Sequence, residues 1–409
     1  MKAEKNMTEQ YAFLQFLHNA SLCSILAFIT PYLQAIETKS GTRMFSDSQI
    51  GTVLALGSFV GIIISPILAS FSDKHPSIPL KSITAILLLI SAVGGALLLI
   101  LPNFFLPVAL ISVVLYSMSR TQGTFLTSLG MEHVYAGENL NYSLCRGFGS
   151  IGYAVMAFFM GYAVDWFGSG IIMILLLACC GLDALLVLFF PKVKSSGENK
   201  SSSDNVEQEA ISLLEFAKRN LRFIAVVFAV VLIYASHQFI NTYTINIVRH
   251  LGGTEKEMGI GTAIAAVLEL PGMALVPWLR KKLGSAGALL KLSAVAMIIK
   301  SIITLIAPSI FVFYIAQCIQ FFTFAVIIPG GVFFVNETID PANKVKGMSI
   351  FDMGLVISGI LFNKIGGMLF DSSSVELTLL VGTIVTAVGT VLLFVLLAGG
   401  KFNKTRENS

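Results

Sequence analysis

Apolar residues in this chain fall in long blocks separated by short polar stretches, and the blocks recur at similar length from one end to the other. A helix crossing roughly 30 Å of hydrocarbon needs about 20 apolar residues. Runs of that length lie at 12–34, 48–70, 82–101, 104–128, 142–165, 169–190, 222–245, 257–279, 284–306, 309–334, 347–369 and 375–398. The pattern predicts an all-α membrane protein with twelve transmembrane helices. A barrel is excluded, because barrel strands are about ten residues long and alternate polar with apolar positions. One segment breaks the rhythm: KVKSSGENKSSSDNVEQEA, residues 192–210. It is too polar to bury a core and reads as a flexible linker. The expected division is therefore an N-terminal six-helix bundle at 1–191, a cytoplasmic linker with a short surface helix at 192–221, and a C-terminal six-helix bundle with a cytoplasmic tail at 222–409. In ISLLEFAKRNLRF, Ile211, Leu214 and Phe216 fall near one face and Lys218 and Arg219 near the other. That suits a helix lying on the membrane surface.

Composition sharpens the exclusion. The chain is 55% hydrophobic and only 12% charged, with a mean hydropathy of +0.82, whereas soluble domains carry about 25% charged residues. The five cysteines, Cys23, Cys145, Cys179, Cys180 and Cys318, all lie inside apolar spans without metal-ligand spacing and read as packing residues. No nucleophile motif or catalytic His-Asp arrangement points to an enzyme, and no cofactor is expected beyond a proton gradient as energy source. The start, MKAEKNMTEQ, is polar, and the apolar run after it has no small-residue cleavage site. The net charge of +4 is no nucleic-acid signature; it comes from loop charges, and their placement is informative. With the N-terminus inside, the cytoplasmic loops receive Lys74, Lys81, Lys192–Lys200, Lys218–Arg222, Arg280–Lys282, Lys344–Lys346 and Lys401–Arg406. The outside receives only Lys39, Arg43, Arg249 and Lys256. This asymmetry places both termini in the cytoplasm of a bacterial inner-membrane protein.

The two halves resemble each other. Span 2 opens IGTVLALGSF at Ile50, reaches Pro66 and ends in a charged Phe71–Lys74. Span 8 opens IGTAIAAVLE at Ile260, reaches Pro277 and ends in a charged Leu279–Lys282. Span 5 ends GYAVD (Gly161–Asp165) and span 11 ends GMLFD (Gly367–Asp371). Ordered matches in the same orientation indicate a parallel six-plus-six repeat. Such repeats let two similar bundles rock around a midplane site, so a small-solute carrier is expected, working as a monomer in the lipid bilayer.

Charges inside the spans supply candidate chemistry, since each costs about 2.5–3.5 kcal/mol on insertion scales unless it meets a cavity or a partner. They are Arg120, Arg146, Asp183, Glu269, Lys300, Asp352 and Lys364. A buried carboxylate can take up a proton when its cation is withdrawn, which links a proton to the solute. Glu269 and Arg146 are the leading functional candidates, each deep in its span and each in a half that the other could neutralise. Lys364 is expected to snorkel or to pack near a helix end. Asp183 either serves function or satisfies a neighbouring hydroxyl. Asp73 and Lys74 are expected to form a cytoplasmic latch that stabilises one conformation. Pro271, two residues after Glu269, is expected to kink span 8. Gly147, Gly149, Gly152 and Gly161 suit close helix packing. His18 and His237, in the first helix of each half, suit either structural hydrogen bonding or cavity lining.

At these residues the sequence resembles the major facilitator superfamily, specifically its oligosaccharide/nucleoside–proton symporter branch, over essentially the whole chain. YSLCRGFGSIGYA (Tyr142–Ala154) is similar to the span-5 motif of the lactose permease. The resemblance implies that Arg146 binds sugar, Tyr153 stacks on it and Ser150 lines the pocket. It also makes Glu269 a solute-binding and coupling acid, and sets Lys300 where the permease has a span-9 arginine. Ser72–Lys74 matches part of the superfamily's loop motif, with Ala69 where a glycine is expected. There are departures. The span-4 glutamate falls on Ser128, with Glu132 a turn further on, and the span-10 Lys-His-Glu triad falls on Gln317, Gln320 and Thr323. Lactose is therefore not the expected solute, and proton coupling needs another acid, Glu269 first and Asp352 second, with Lys300 beside them. Gln320 and His237 complete the candidate solute contacts. The expected function is import of a small polar solute, a sugar or oligosaccharide foremost and a nucleoside as alternative, by proton symport. An exporter on the same fold is disfavoured by a span 5 without proline, and a facilitator without proton coupling stays open.

A reporter active only outside the cytoplasm, fused to the C-terminus, is expected to stay silent, and a signal from it would overturn the topology.

Overall fold

The computed structural model describes residues 2–75, 77–101, 104–138, 140–192 and 213–398. They are almost entirely helical. The first half runs α1 (Lys2–Leu26), α2 (Ile29–Gln34), α3 (Asp47–Lys74), α4 (Leu80–Ile100), α5 (Phe105–Tyr135), α6 (Tyr142–Phe167) and α7 (Gly170–Phe189). The second runs α8 (Leu213–Arg219), α9 (Leu221–Thr242), α10 (Thr244–His250), α11 (Glu255–Leu283), α12 (Ala286–Leu305), α13 (Ile310–Cys318), α14 (Phe324–Thr338), α15 (Lys344–Ser372) and α16 (Val375–Ala398). Among the described residues ten spans are long and apolar enough to cross a membrane, with α13 and α14 forming one of them. Helices α1 and α5 have the length, at 25 and 31 residues, but carry polar residues. Several of these, Gln15, His18 and Gln122, are buried. Together with these two, the spans number twelve.

Local chemistry fixes the helix ends. Ser46 opens α3 with a reciprocal capping box to Gln49, Asn141 accepts from the Leu144 N–H at the start of α6, and Ser285 does the same for Ala288 at the start of α12. These side chains satisfy amides that have no partner within the helix. Between α6 and α7 the chain turns at Gly168, whose φ of 79° favours glycine.

By compactness the chain forms two units. One joins residues 1–198 with 241–267 and 363–375; the other holds 199–240, 268–362 and 376–409. In the first, Tyr11 donates to the Leu126 carbonyl at 2.8 Å, and Gln122 donates to the Leu87 carbonyl and to Ser91. In the second, Phe216, Phe223, Phe334 and Phe351 form the centre of an apolar core. This corrects the surface-helix expectation in part. Lys218 and Arg219 do lie on the outside of α8, but Phe216 is fully buried against Phe223 rather than left for lipid. Ile211 and almost all of the 192–210 linker lie outside the described residues.

The first unit holds a polar cluster at the ends that the charge asymmetry assigns to the outside. The Asp47 carboxylate, 4% exposed, accepts from Gln34 and Asn246 at 2.7 Å each and pairs with Arg43. Gln34 also accepts from Arg249. Near the C-terminal end of α15, Asp371 accepts from the backbone N–H groups of Asp47 and Ser48 at 2.8 and 2.7 Å. It thus caps the start of α3, where negative charge meets the positive end of the helix. Of the two expectations for Lys364, packing near a helix end is the one observed. Its ammonium donates to Ser48 and Thr52, at 2.8 and 2.7 Å to their hydroxyls, and ties α15 to α3.

Glycine permits this approach. A Cβ on Gly367 would stand 2.1 Å from the Asp47 carbonyl, and one on Gly51 would stand 2.2 Å from that of Asn363. Tyr243 fills the remaining space and donates to the Asn363 carbonyl at 2.7 Å. A second crossing of this kind joins α6 and α11. There, a Cβ on Gly161 would meet the Glu255 carbonyl at 2.6 Å, and one on Gly259 that of Ala157 at 2.4 Å.

Because the obstruction at Gly367 is backbone, Gly367→Trp is expected to force the ends of α3 and α15 apart. With a single reporter cysteine at Thr52, labelling by a membrane-impermeant maleimide should speed up on the order of tenfold or more. Unchanged labelling would show that this contact does not hold the outer end closed.

Candidate functional site

Helix α11 carries Glu269 at the point where Pro271 removes a backbone donor. Three residues on from Glu269, Gly272 lets span 10 approach, since a Cβ there would stand 2.6 Å from both the Phe321 carbonyl and the Ala325 side chain. Span 10 itself is broken. Helix α13 ends at Cys318, a single 3₁₀ turn covers Ile319–Phe321, and Thr323, with φ −91° and ψ −98°, precedes α14. The Thr323 carbonyl opens α14 by accepting from the Val326 and Ile327 N–H groups at 3.1 and 3.0 Å. The Ser293 hydroxyl of α12 donates to the same carbonyl at 2.9 Å and ties α12 to the break.

The break aims Gln320 across the bundle. Its Nε2 donates to Glu269 Oε1 at 2.9 Å, while its Oε1 accepts from Lys300 Nζ at 2.7 Å and from the Thr323 hydroxyl at 3.1 Å. An ammonium and a carboxylate are thus joined through one neutral amide. Lys300 is 2% and Gln320 3% exposed, whereas Glu269 is half-buried. The carboxylate is therefore the member of the chain open to an incoming group. His237 lies within electrostatic reach of Lys300. Its ring stacks on Phe324 at 5.6 Å with only 6° between planes, and Tyr234 lies 4.8 Å away. Three sequence candidates, Glu269, Gln320 and Lys300, are thus bonded together, and His237 is near them. Thr323 was named only as a triad position without an ionisable group, and Ser293 was not singled out.

In the first unit Arg146 lies exposed on α6, with Ser150 and Tyr153 half-buried one and two turns on. The neighbouring face of α6 is glycine. A Cβ on Gly149 would stand 2.4 Å from Asn19 Nδ2, and one on Gly152 2.3 Å from the Phe16 carbonyl. Packing of α6 on α1 therefore accounts for these glycines. Among the described residues Arg146 makes no ion pair; its charge reaches Tyr11 and His18. His18 is buried with neither ring nitrogen bonded among the described residues, so the structural hydrogen bond expected of it is not made. Asp183 is fully buried, and neither of its oxygens meets the expected hydroxyl. Asp73 and Lys74 are exposed at the end of α3 and form no ion pair among the described residues. Asp352 is exposed on α15. Among the described residues no cluster of His, Cys, Asp or Glu could hold a metal.

A broken helix beside a proline-bearing one, a buried charge chain and glycine-mediated crossings of the outer ends are the furniture of a solute carrier. The family model described as "MFS_1 like family" matches residues 9–381. The chain belongs to that family. It is a membrane transporter of the major facilitator fold, and not an enzyme. Over 378 residues it is 22% identical to the "Uncharacterized transporter YwbF" of Bacillus subtilis (strain 168), covering 92% of this chain and 91% of that protein. Among solved structures it is similar to a mutant form of the nucleoside transporter NupG, with a TM-score of 0.80 at 18% identity, covering 95% of this chain and 99% of that one. It is also similar to a bacterial homolog of the human lysosomal transporter Spinster, at a TM-score of 0.73 and 11% identity, covering 96% of each chain.

Ser293→Ala removes the hydrogen bond that ties α12 to the broken span 10 and is expected to cost about 0.5–1.5 kcal/mol. A thermal melt of the purified transporter should fall accordingly. An unchanged melting temperature would mean that this bond contributes nothing to stability.

Proposed function

We propose that this transporter imports a small polar solute of the sugar or nucleoside kind together with a proton, by alternating access. The observation that carries the reading is the half-buried Glu269, its carboxylate anchored through one oxygen by Gln320 and backed by Lys300. Span 10 offers Gln317, Gln320 and Thr323 in place of ionisable groups, so Glu269 is the acid of this polar chain. A proton from outside is taken onto the carboxylate and released to the cytoplasm, while the free oxygen meets a donor on the solute. Before solute arrives, Gln320 keeps that carboxylate in place, because its own orientation is held by Lys300. Arg146, with Ser150 and Tyr153 on its face of α6, offers a fork of donors and a ring suited to a hydroxyl-bearing solute. Likeness to a nucleoside transporter supports the nucleoside member of the pair as much as the sugar.

A thermal-shift screen of sugars and nucleosides supplies a binding solute, since ligand raises apparent stability. With that solute, wild-type cells are expected to alkalinise a weakly buffered medium. Glu269→Gln should abolish this and uphill accumulation while leaving exchange down a gradient. Alkalinisation at the wild-type rate in Glu269→Gln would move the coupling to another acid, Asp352 next.

A further inference from the structure

The Gln320 amide occupies a gap between a cation and an anion, and its neighbours dictate which way round it lies. The Lys300 ammonium has donors only, and a carboxylate accepts only. Lys300 therefore takes Oε1 at 2.7 Å and Glu269 takes Nε2 at 2.9 Å, with the Thr323 hydroxyl adding a second donor toward Oε1. A flipped amide would set like against like at both ends. The gap is thus shaped for one acceptor and one N–H donor held in a plane on neighbouring atoms.

Gln320 is placed where it can give way. It sits in the single 3₁₀ turn of the broken span rather than in continuous α-helix, and its partner Glu269 is half-buried, so a solute meets the carboxylate first. Beside the gap, four residues on from Gln320, Phe324 stacks with His237 to form a flat aromatic wall. Such a wall suits a planar ring better than a puckered one. A pair of sugar hydroxyls carries no fixed donor-acceptor sense, since each rotates to suit its partner.

We propose that the solute carries a planar lactam edge, –CO–NH–, of the kind found in uracil-type rings, and that this edge replaces the Gln320 amide between Lys300 and Glu269. The inference rests on the reading of Glu269 as part of the solute site, and it narrows the solute class from polar hydroxylated molecules to those with an amide edge in a ring. Gln320 then acts as the specificity-determining residue, because it reserves the site for groups that reproduce both of its bonds. A site built to receive a donor rejects analogues that lack it, leaving its own buried groups unpaired.

The test uses the full-length purified transporter and three probes: uridine, N3-methyluridine and melibiose. Methylation at N3 deletes the lactam donor but keeps the ring and ribose. Uridine is expected to raise the melting temperature, and N3-methyluridine to bind on the order of tenfold or more weakly. In Glu269→Gln the gap between the two uridines should shrink, because that residue is the acceptor for N3–H and the cycle isolates their coupling. Equal binding of the two uridines, no binding of uridine, or an undiminished gap in Glu269→Gln would each overturn the lactam assignment. Melibiose binding with alkalinisation of the medium, and no response to uridine, would overturn it while leaving proton-coupled import standing. Uridine binding without alkalinisation would instead sink the coupling and leave the lactam assignment intact.

Discussion

A helix inside hydrocarbon can be interrupted or approached closely only where every freed backbone group finds a partner, and the polar architecture of this transporter follows from that constraint. Span 10 breaks at Ile319–Phe321, where the Thr323 carbonyl takes up the first amides of α14 and the Ser293 hydroxyl together. The break in turn gives Gln320 the angle to bridge Lys300 and Glu269. The same constraint acts where the start of α3 meets the end of α15. Two helices approach there until a carbonyl occupies the place of a side chain, which glycine alone allows. Tyr243 and Lys364 then bond the exposed carbonyls and hydroxyls across the seam. At both places, polar residues kept in the membrane bond a backbone carbonyl or another charge on a facing helix.

The internal repeat has a structural meaning at these seams. GYAVD ends near the close of α6 and GMLFD near that of α15, and each supplies a glycine and an acid to a facing helix. Gly161 approaches the start of α11, and Asp165 accepts from the Thr254 hydroxyl just ahead of it at 3.0 Å. Gly367 approaches the start of α3, and Asp371 accepts from its first two amides. One device, a glycine followed by an acid four residues on, thus closes two seams. Asp371 makes the stronger contact because it faces unpaired backbone donors at a helix N-terminus, whereas Asp165 meets a single hydroxyl. The seam at α3 also recruits Asp47, Gln34, Asn246 and Arg249, so opening it requires several charge-assisted bonds to break together.

Much of this was legible in the sequence, and what escaped did so for physical reasons. The spans were readable because an apolar run of bilayer length would be costly to leave in water and matches the hydrocarbon thickness. Residues 12–34 and 222–245 each form one apolar run, yet each ends in a short separate helix, α2 or the start of α10. An apolar string does not say where it turns. The break in span 10 falls in CIQFFT, without glycine or proline, so neither punctuation residue marked it. Glu269, Lys300 and Gln320 could be singled out as polar residues in apolar runs, but the bonds among them depend on that unmarked break. Lys364 was expected either to snorkel or to pack near a helix end, but the helix it packs on could not be named. Its partners Ser48 and Thr52 lie more than 300 residues earlier in the chain, beyond any local pattern. Asp47 drew no notice because an aspartate at a span end is unremarkable until Asn246 and Gln34 arrive from elsewhere.

The distribution of exposure along the charge chain carries a last consequence. Lys300 and Gln320 are buried and Glu269 is half-buried, so the ammonium cannot reach water except through the amide and the carboxylate. A direct Lys300–Glu269 pair would bind the two charges to each other and leave little reason for either to meet a solute. Interposing an uncharged amide keeps the carboxylate anchored yet only half satisfied, with one oxygen held and the other available. A histidine or glutamate at position 320 would add a charge that competes for the same proton. Glutamine adds none, and it leaves Glu269 and Lys300 as the ionisable groups of this chain of contacts. A span 10 with Gln317, Gln320 and Thr323 in place of ionisable groups thus leaves Glu269 of α11 as its acid, held in place by a neutral amide.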